Sequence, residues 1–284
     1  MAEPDGDAPN KWRKFLFEAG YHPWMWLYGH GERWRLHRPI FMIGCPRSGT
    51  GLALRTFARH PHVANLSEAG DLWDPRRYND PEADHVWTVN DVMPEDTRRM
   101  HSRFEFWRRL HGAERFINKH PRNSVRIDYL RAMFPDAVFL HVVRDGRAVV
   151  NSILSRIQRE PHRLRLPFWN FCKPPGWREL LRDDPAEQAA LQWREILRYV
   201  FAKRAELGAA YHQFRYEDLC VAPRQVVGRA WRFAGLRCDE SDLARVPGQL
   251  EDRGYKWRKE LAPEQLELIG RIQRELLVEL GYPV

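Results

Sequence analysis

Short runs of consecutive apolar residues, each followed by a stretch of helical character, organise the middle of the chain. The first run, Ile40–Ile43, is bounded by a proline and a glycine, and a helix-like stretch over 52–59 follows the turn. The same order recurs twice, with strands predicted at 115–118 and 137–143 and helices at 125–133 and 147–158. Because these strands are apolar on both faces and alternate with helices, the pattern predicts an α/β fold with a central parallel sheet flanked by helices.

The pattern continues towards the end of the chain. Helices are predicted over about 185–207 and 224–234 and again after Pro263, where apolar residues recur every three or four positions. A short strand is predicted at 211–215. No stretch between these elements has the composition of a linker, so we expect a single domain over residues 1–284.

Two segments depart from this alternation. Residues 159–185 combine prolines and a glycine with aromatic side chains, and a long irregular segment in a compact domain is commonly functional. We predict a lid or an acceptor-binding loop there, with the cover of an ordinary core edge as the alternative. Residues 11–37 are aromatic and basic; Gly20 and Pro23 interrupt any long amphipathic helix, which favours packing on the domain over an interfacial membrane contact. Residues 1–10 are predicted to form a flexible tail.

Composition narrows the class of protein. A hydrophobic content of 43% over 284 residues suits a globular domain, and the net charge of +8 keeps an anionic ligand, a nucleic acid and a membrane surface open as partners. The four cysteines form no C-x-x-C pair, which argues against a zinc ribbon and indicates a reducing compartment. No apolar run approaches the roughly 20 residues that span a bilayer, and the polar start lacks the features of a signal peptide. We therefore expect a soluble, cytoplasmic protein.

A glycine-containing loop, Gly44 to Thr50, lies where the first strand ends and a helix begins. Backbone N–H groups and a helix N-terminus converge on a phosphate at such a junction. Compared with the pattern G-x-x-x-x-G-K-[ST], Thr50 replaces the lysine and Gly51 replaces the hydroxyl that would hold Mg²⁺. A metal-dependent kinase is therefore disfavoured, and Arg47 can supply the positive charge instead.

The residues Pro46 to Thr50 read P-R-S-G-T, and the chain here resembles the sulfotransferases that use 3′-phosphoadenosine 5′-phosphosulfate (PAPS). The resemblance implies a P-loop-type three-layer sandwich and transfer of the sulfuryl group of PAPS to an acceptor hydroxyl, with release of adenosine 3′,5′-bisphosphate (PAP). It implies that the loop binds the 5′-phosphosulfate through the residues Arg47, Ser48, Gly49, Thr50 and Gly51. Close relatives often carry a second threonine where Gly51 stands, so the affinity for PAPS is the property that this departure affects.

A second motif, residues 143–152, fits the element that holds the 3′-phosphate in that family. The resemblance implies Arg144 and Ser152 as its ligands. The physical reasoning agrees, because Asp145 can cap the following helix, Arg144 lies at the positive end of that helix, and Arg156 is one turn beyond Ser152 on the same face. Two predicted anion-binding motifs lie at the spacing of a βαβ unit. Together they favour binding of a nucleotide over the alternative that residues 147–156 form only a salt-bridged surface helix.

The closest pattern within the family is the branch of tyrosylprotein sulfotransferases and related bacterial enzymes. The segments S-E at 67–68 and N-K at 118–119 imply Glu68 as the general base and Lys119, with Arg47, as the catalytic cations. The segments R-Y-E-D-L at 215–219 and G-Y-K-W at 254–257 place Tyr216, Lys256 and Trp257 near the cofactor. His120 adjoins Lys119 and is the rival base. The implied mechanism is in-line transfer without a metal ion.

The acceptor region is not covered by the resemblance, so a small molecule, a glycolipid or another hydroxyl compound stays open, as do a peripheral membrane contact and the oligomeric state. Two alternatives come from other classes. A P-loop phosphotransferase would need the lysine that Thr50 replaces. A basic nucleic-acid-binding module is disfavoured because the arginines are scattered among acidic residues and form no recognised motif, and we expect no nucleic-acid partner.

Overall fold

A five-stranded sheet in which all strands run parallel forms the centre of the protein. The computed structural model describes residues 11–28, 32–68 and 80–283, so the predicted tail over 1–10 lies outside the described residues. The strands are β1 (Ile40–Ile43), β2 (Val63–Ser67), β3 (Arg115–Lys119), β4 (Val138–Val143) and β5 (Tyr211–Arg215). Their order across the sheet is β2-β3-β1-β4-β5. The predicted α/β class with a parallel sheet is confirmed.

The helices occupy most of the remaining described chain. They are α1 (Lys11–Tyr28), α2 (Thr50–Phe57), α3 (Pro94–Leu110), α4 (Ile127–Met133), α5 (Gly146–Arg159), α6 (Pro185–Leu207), α7 (Tyr216–Val221), α8 (Pro223–Phe233), α9 (Glu240–Ala244), α10 (Trp257–Glu260) and α11 (Pro263–Glu279). Short 3₁₀ helices lie at Val89–Asp91, Pro121–Val125, Pro161–Arg165, Pro167–Asn170, Trp177–Leu180 and Gly208–Ala210. Proline begins α3, α6, α8 and α11, where its missing N–H group costs no helical hydrogen bond.

Alternate residues of the central strand face two different layers of helices. Ile40 and Met42 pack against a cluster that includes Leu54 of α2 and Trp231 of α8. Phe41 and Ile43 face the opposite cluster, which includes residues of α3 and α4. A third apolar cluster joins α5, α6 and α11. The continuous burial of β1 follows from this double cover, which explains why its sequence is apolar at every position.

Strand β2 and helix α3 are among the elements that were not predicted from the pattern. Strand β2 lies at the edge of the sheet, and its residues change from buried to exposed along the strand, so it lacks the continuous apolar run of its neighbours. Helix α3 carries many charged residues and packs on the domain through buried residues of its middle turns, which include Met100 and Phe104. Propensity and periodicity are weak in both segments, and tertiary packing decides their structure.

The segment 159–185 winds through three short 3₁₀ helices and buries much of its aromatic content. Phe168, Trp169 and Trp177 are 0%, 2% and 4% exposed. The side-chain amide of Gln192 on α6 donates to the carbonyl oxygen of Cys172 at 2.6 Å. These aromatic side chains are therefore part of the core, and movement of the segment as a lid stays a prediction.

Helix α1 lies against α3, which agrees with the prediction that this segment packs on the domain. The expected interruption at Gly20 and Pro23 is wrong, because α1 continues through both residues. The hydroxyl groups of Tyr21 and Ser102 are 2.6 Å apart, and the ring of Trp24 contacts that of Phe106. The side chain of Trp26 near the end of α1 is 77% exposed. None of the helices in the described ranges combines the length and the apolar character that a membrane crossing requires.

Candidate active site

The carboxyl ends of the five strands meet at one edge of the sheet, and the predicted site residues follow them. Because parallel strands all point the same way, side chains that are far apart in the sequence converge there. Across the edge from β2 to β5 lie Glu68, Lys119, the loop 44–50, Arg144 and Tyr216. The structure thus brings together residues from all five strand ends.

The loop after β1 is closed tightly around its own backbone. The amide of Ser48 donates to the carbonyl oxygen of Cys45 at 3.0 Å. The hydroxyl of Ser124 accepts from the amide of Gly44 at 2.8 Å and donates to its carbonyl oxygen at 2.9 Å. Gly49 has a φ of 92°, and a Cβ atom there would lie 2.3 Å from the ring of Tyr216. Only glycine fits this position, because any side chain would clash with the Tyr216 ring.

Several buried side-chain polar atoms of the described residues have no hydrogen-bond partner, and two of those at this edge belong to the predicted anion-binding motifs. They are the Oγ atom of Ser48, a residue 1% exposed, and the Nε atom of Arg144, a residue 6% exposed. A buried donor without a partner costs free energy, about 1–3 kcal/mol for a neutral group and more for a charged one. Such atoms indicate that the site is built for a ligand that accepts hydrogen bonds.

Arg47 and Arg144 connect the two predicted anion-binding motifs. The Nη1 atom of Arg144 donates to the backbone oxygen of Arg47 at 3.0 Å, and the Nε atom of Arg47 donates to the Oγ atom of Ser152 at 3.2 Å. The guanidinium group of Arg144 also lies over the ring of Tyr216, 4.2 Å from its centroid. The motifs that the sequence separates by about one hundred positions therefore form one continuous site.

The N-terminus of α5 is capped by Asp145, as its sequence predicts. The carboxylate accepts from the amide of Arg147 at 3.0 Å and forms two further hydrogen bonds with its guanidinium group. Further along α5, Arg156 forms an ion pair of 2.5 Å with Glu160. Binding of a 3′-phosphate by Arg156 therefore stays a prediction, since this guanidinium group already contacts a carboxylate.

Glu68 and Lys119 contact each other on the β2–β3 side of the edge. The Nζ atom of Lys119 is 2.5 Å from the Oε1 atom of Glu68, and the amide of Glu68 donates to the backbone oxygen of Lys119 at 2.6 Å. The Lys119 side chain is 8% exposed, whereas that of Glu68 is 34% exposed. Glu68 has a φ of 59°, which is unusual for a residue other than glycine and is common at functional sites.

His120, the rival base, is buried directly behind this pair. Its Nδ1 atom accepts from the amide of Arg122 at 3.0 Å. Burial, together with the positive charges of Arg126, Arg122 and Lys119, holds the pKa of His120 well below its usual value. The imidazole is therefore neutral, and its Nδ1 atom is committed to a backbone hydrogen bond.

The three remaining predicted cofactor residues differ in their surroundings. The ring of Tyr216 packs against Gly49, and burial raises the pKa of its hydroxyl to about 12. The ring of Trp257 lies 4.3 Å from the guanidinium carbon of Arg147 and 4.5 Å from that of Arg258, and Lys256 is exposed. Tyr216 thus belongs to the edge described above, while contacts of Lys256 and Trp257 with a nucleotide stay predictions.

Sequence reasoning missed three residues that shape the site. Ser124 holds the loop backbone, and Trp193 and Glu217 bind the backbone beside Arg144. Ser124 and Trp193 have no local signal, because each acts on backbone atoms at least 49 positions away in the sequence. Glu217 lies in the R-Y-E-D-L segment, which was the one available indication.

A comparison with known proteins finds a family model described as "Sulfotransferase family" that matches residues 39–240. "Nodulation protein NoeE" of Sinorhizobium fredii is 24% identical over an alignment of 280 positions that covers 85% of this chain and 65% of that protein. "Protein-tyrosine sulfotransferase A" of Caenorhabditis elegans is 35% identical over 127 positions, covering 41% of this chain and 33% of that protein. This chain thus spans from about a third to two thirds of the length of these relatives.

A solved structure extends the likeness to the fold. The "Sulfotransferase Domain from the Curacin Biosynthetic Pathway" superposes with a TM-score of 0.57 at 17% identity, covering 88% of this chain and 99% of that domain. At this identity the likeness concerns the arrangement of the sheet and helices.

Proposed function

The chain belongs to the sulfotransferase family, and on that basis we propose that it transfers the sulfuryl group of PAPS to an acceptor hydroxyl and releases PAP. One observation carries the proposal. The two predicted anion-binding elements lie at the same edge of the sheet, and each presents a buried polar atom without a partner among the described residues, the Oγ atom of Ser48 and the Nε atom of Arg144. A nucleotide with phosphate groups at both its 3′ and 5′ positions suits this pair of elements.

The residues of the edge fit such a nucleotide. The 5′-phosphosulfate would be held by the N-terminus of α2, by Arg47 and by the residues Ser48, Gly49 and Thr50, since backbone amides and a helix N-terminus favour an anion. The 3′-phosphate would be held by Arg144 and Ser152. At Gly51, a Cβ atom would meet only the Nη1 atom of Arg55, at 3.7 Å. The position therefore has space for a side chain with a hydroxyl group, which glycine does not supply.

The chemistry follows from charge and position. PAPS, when bound, supplies a sulfuryl group attached to a phosphate leaving group. In the proposal Glu68 accepts the proton of the acceptor hydroxyl, and Lys119 and Arg47 stabilise negative charge that develops on the transferred group and the leaving oxygen. The contact of Lys119 with Glu68 supports this, because the ion pair brings a carboxylate and an ammonium group together at this edge. Neither role requires a metal ion.

The surroundings of the two candidate bases favour Glu68 over His120. The carboxylate of Glu68 is about one-third exposed and can reach a substrate hydroxyl. His120 is 3% exposed and its pKa is held well below the usual value, which makes the imidazole a weak proton acceptor. We therefore assign the general base to Glu68.

An open groove beside the candidate lid supports a place for the acceptor. The groove has a volume of about 490 Å³ and is lined by the residues Leu164, Arg165, Leu166, Pro167, Trp169, Leu181, Arg182, Asp183, Pro185 and Gln188. Pro185 and Gln188 of α6 line the groove, and Trp193 on the same helix donates to the carbonyl oxygen of Arg144. We propose an acceptor with an apolar body and a hydroxyl group, such as a small molecule or a glycolipid.

Cysteine chemistry supports a cytoplasmic setting for this activity. All four cysteines are free thiols, and Cys45, Cys172 and Cys220 are buried. Burial raises the pKa of these three thiols, so they stay protonated and react slowly with oxidants.

Calorimetric titration tests the proposal. The wild type and Arg144→Ala are titrated with PAP, with 5′-AMP and with ATP plus Mg²⁺. Tight binding of PAP without metal, weaker binding of AMP and a loss of about a hundredfold in PAP affinity in Arg144→Ala support the proposal. If PAP does not bind and ATP with Mg²⁺ does, the proposal is wrong and the chain is a P-loop phosphotransferase.

A further inference from the structure

The peptide unit between Arg144 and Asp145 is held from both sides by side chains of other elements. The indole Nε1 atom of Trp193 on α6 donates to the carbonyl oxygen of Arg144 at 3.2 Å. On the other side of the same peptide unit, the amide of Asp145 donates to the Oε1 atom of Glu217 on α7 at 3.1 Å. Because a peptide unit is planar, two such bonds fix its orientation and the direction in which the Arg144 side chain leaves the backbone.

Glu217 is itself held in place by the end of the chain. The hydroxyl of Tyr282 donates to the Oε2 atom of Glu217 at 2.9 Å, and the Nε atom of Arg215 is 3.9 Å from the same oxygen. The guanidinium group of Arg215 lies over the Tyr282 ring, 4.1 Å from its centroid. Burial is the main cause that raises the pKa of Tyr282, so its hydroxyl stays a hydrogen-bond donor. Each carboxylate oxygen of Glu217 thus has a protein donor.

The negative charge of Glu217 is unfavourable for binding an anion beside it. Its carboxylate accepts a hydrogen bond from the residue next to Arg144, and a negative charge near a phosphate site opposes binding of the phosphate. The neighbouring Asp218 also lies in the first turn of α7, but it is exposed and does not contact this peptide unit. A preference for acidic residues at a helix N-terminus therefore explains Asp218 but leaves the contacts of Glu217 unexplained.

We propose that Glu217 is a positioning residue for recognition of the 3′-phosphate, an inference that rests on the proposed function. Through the peptide of Asp145 it fixes the backbone of Arg144, while the adjacent Tyr216 orients the guanidinium group of Arg144 through its ring. The adjacent residues Tyr216 and Glu217 thus position the guanidinium group and the backbone of Arg144, respectively. Tyr282 supports the arrangement by holding Glu217.

The test compares PAP with 5′-AMP, which lacks the 3′-phosphate, in calorimetric titrations of the full chain. In Glu217→Ala we expect PAP affinity to fall about tenfold and AMP affinity to stay unchanged, because only the 3′ side depends on Arg144. Asp218→Ala is the matched control and should bind both nucleotides as the wild type does. Glu217→Gln retains a carbonyl acceptor for the Asp145 amide and should recover most of the PAP affinity.

A double-mutant cycle with Arg144→Ala shows whether Glu217 acts through Arg144. If it does, Glu217→Ala has no further effect on PAP binding in the Arg144→Ala background. An equal loss of PAP and AMP affinity, or an undiminished effect in that background, overturns the inference. Tyr282→Phe keeps the ring, removes the donor to Glu217 and should lower PAP affinity about threefold, which keeps the test decisive if Glu217→Ala does not fold.

Failure of the inference is distinguishable from failure of the proposed function. If the wild type does not bind PAP, the proposed function and this inference are both wrong. If the wild type binds PAP and Arg144→Ala does not, while Glu217→Ala and Tyr282→Phe bind like the wild type, only the inference is wrong.

Discussion

The two sides of the sheet edge differ in how their charged groups are held. On the side of β1, β4 and β5, which we call the donor side, Arg144 is 6% exposed and contacts the backbone of Arg47 and the ring of Tyr216. On the side of β2 and β3, the acceptor side, the charged groups are Glu68 and Lys119, which pair with each other. The donor side is therefore fixed by contacts from several elements, whereas Glu68 and Lys119 are joined by an ion pair and a backbone hydrogen bond between each other.

This difference matches the two tasks of the proposed reaction. A nucleotide is the same molecule in every turnover, and binding it tightly favours groups whose positions are set in advance. A general base has to reach a substrate hydroxyl, and the side chain of Glu68, the base in our proposal, is about one-third exposed. The tightly packed side also carries the recognisable motif, because close packing restricts which residues fit.

The largest expected effect is a loss of turnover that leaves nucleotide binding intact. Glu68→Gln removes the proton acceptor but leaves the donor side intact, so we expect kcat to fall about a thousandfold while PAP affinity stays unchanged. Initial rates of sulfuryl transfer and calorimetric titration with PAP measure the two quantities. The control Glu95→Gln changes an exposed carboxylate on α3 and should affect neither. Near-normal kcat in Glu68→Gln would show that another group is the base.

The next effect tests the close packing of the donor side. Gly49→Ala places a Cβ atom 2.3 Å from the Tyr216 ring at a φ of 92°, so we expect the free energy of unfolding to fall by about 3 kcal/mol. Urea denaturation followed by circular dichroism measures this change. An unchanged free energy of unfolding would mean that the loop is not as closely packed as the structure indicates.

Acid sensitivity should be shared by both sides. Burial lowers the pKa of His141 on the donor side to about 3, and burial with nearby cations holds that of His120 on the acceptor side well below normal. Below pH 6.5 the unfolded chain binds more protons than the folded protein at these residues. The contribution of these two histidines to the free energy of unfolding is therefore fully present above pH 6.5. It decreases as the pH falls towards 3, by up to about 1.4 kcal/mol per pH unit for each histidine.

Urea denaturation at pH values between 7 and 4 measures this dependence. His141→Gln and His120→Gln should each reduce the slope of the free energy of unfolding against pH by the equivalent of up to one bound proton. His162→Gln, which alters an exposed histidine, should leave the slope unchanged. If neither buried variant changes the slope, the two imidazoles do not account for the acid sensitivity.

The smallest effect concerns the position two residues beyond Gly49. Gly51 lies in the first turn of α2, and a Cβ atom there would meet only Arg55, at 3.7 Å. Gly51→Ala should therefore raise the free energy of unfolding by about 0.5–1 kcal/mol, opposite in sign to Gly49→Ala. The same denaturation experiment compares both variants, and a destabilised Gly51→Ala would indicate that the backbone of this turn requires glycine.

Much of the fold was predictable because buried parallel strands leave a clear pattern. Helix α6 was predicted with the bounds that the structure has, since a proline and a glycine mark its ends. Strand β2 was missed because an edge strand with a half-exposed surface lacks a continuous apolar run. The packing of Trp169 and Trp177 was also undecided, because an aromatic side chain in an irregular segment has no periodicity that assigns it to a face.

The sequence by itself determined the α/β class and the family, and it predicts the two anion-binding motifs, because each depends on short-range spacing between a strand, a turn and a helix. Only the tertiary structure decided that Glu68 pairs with Lys119, that Arg47 bonds with Ser152, and that Glu217 and Trp193 hold the peptide of Arg144. These contacts join residues that are 49 to 105 positions apart. The sheet order sets such distances in space, and no local pattern encodes them.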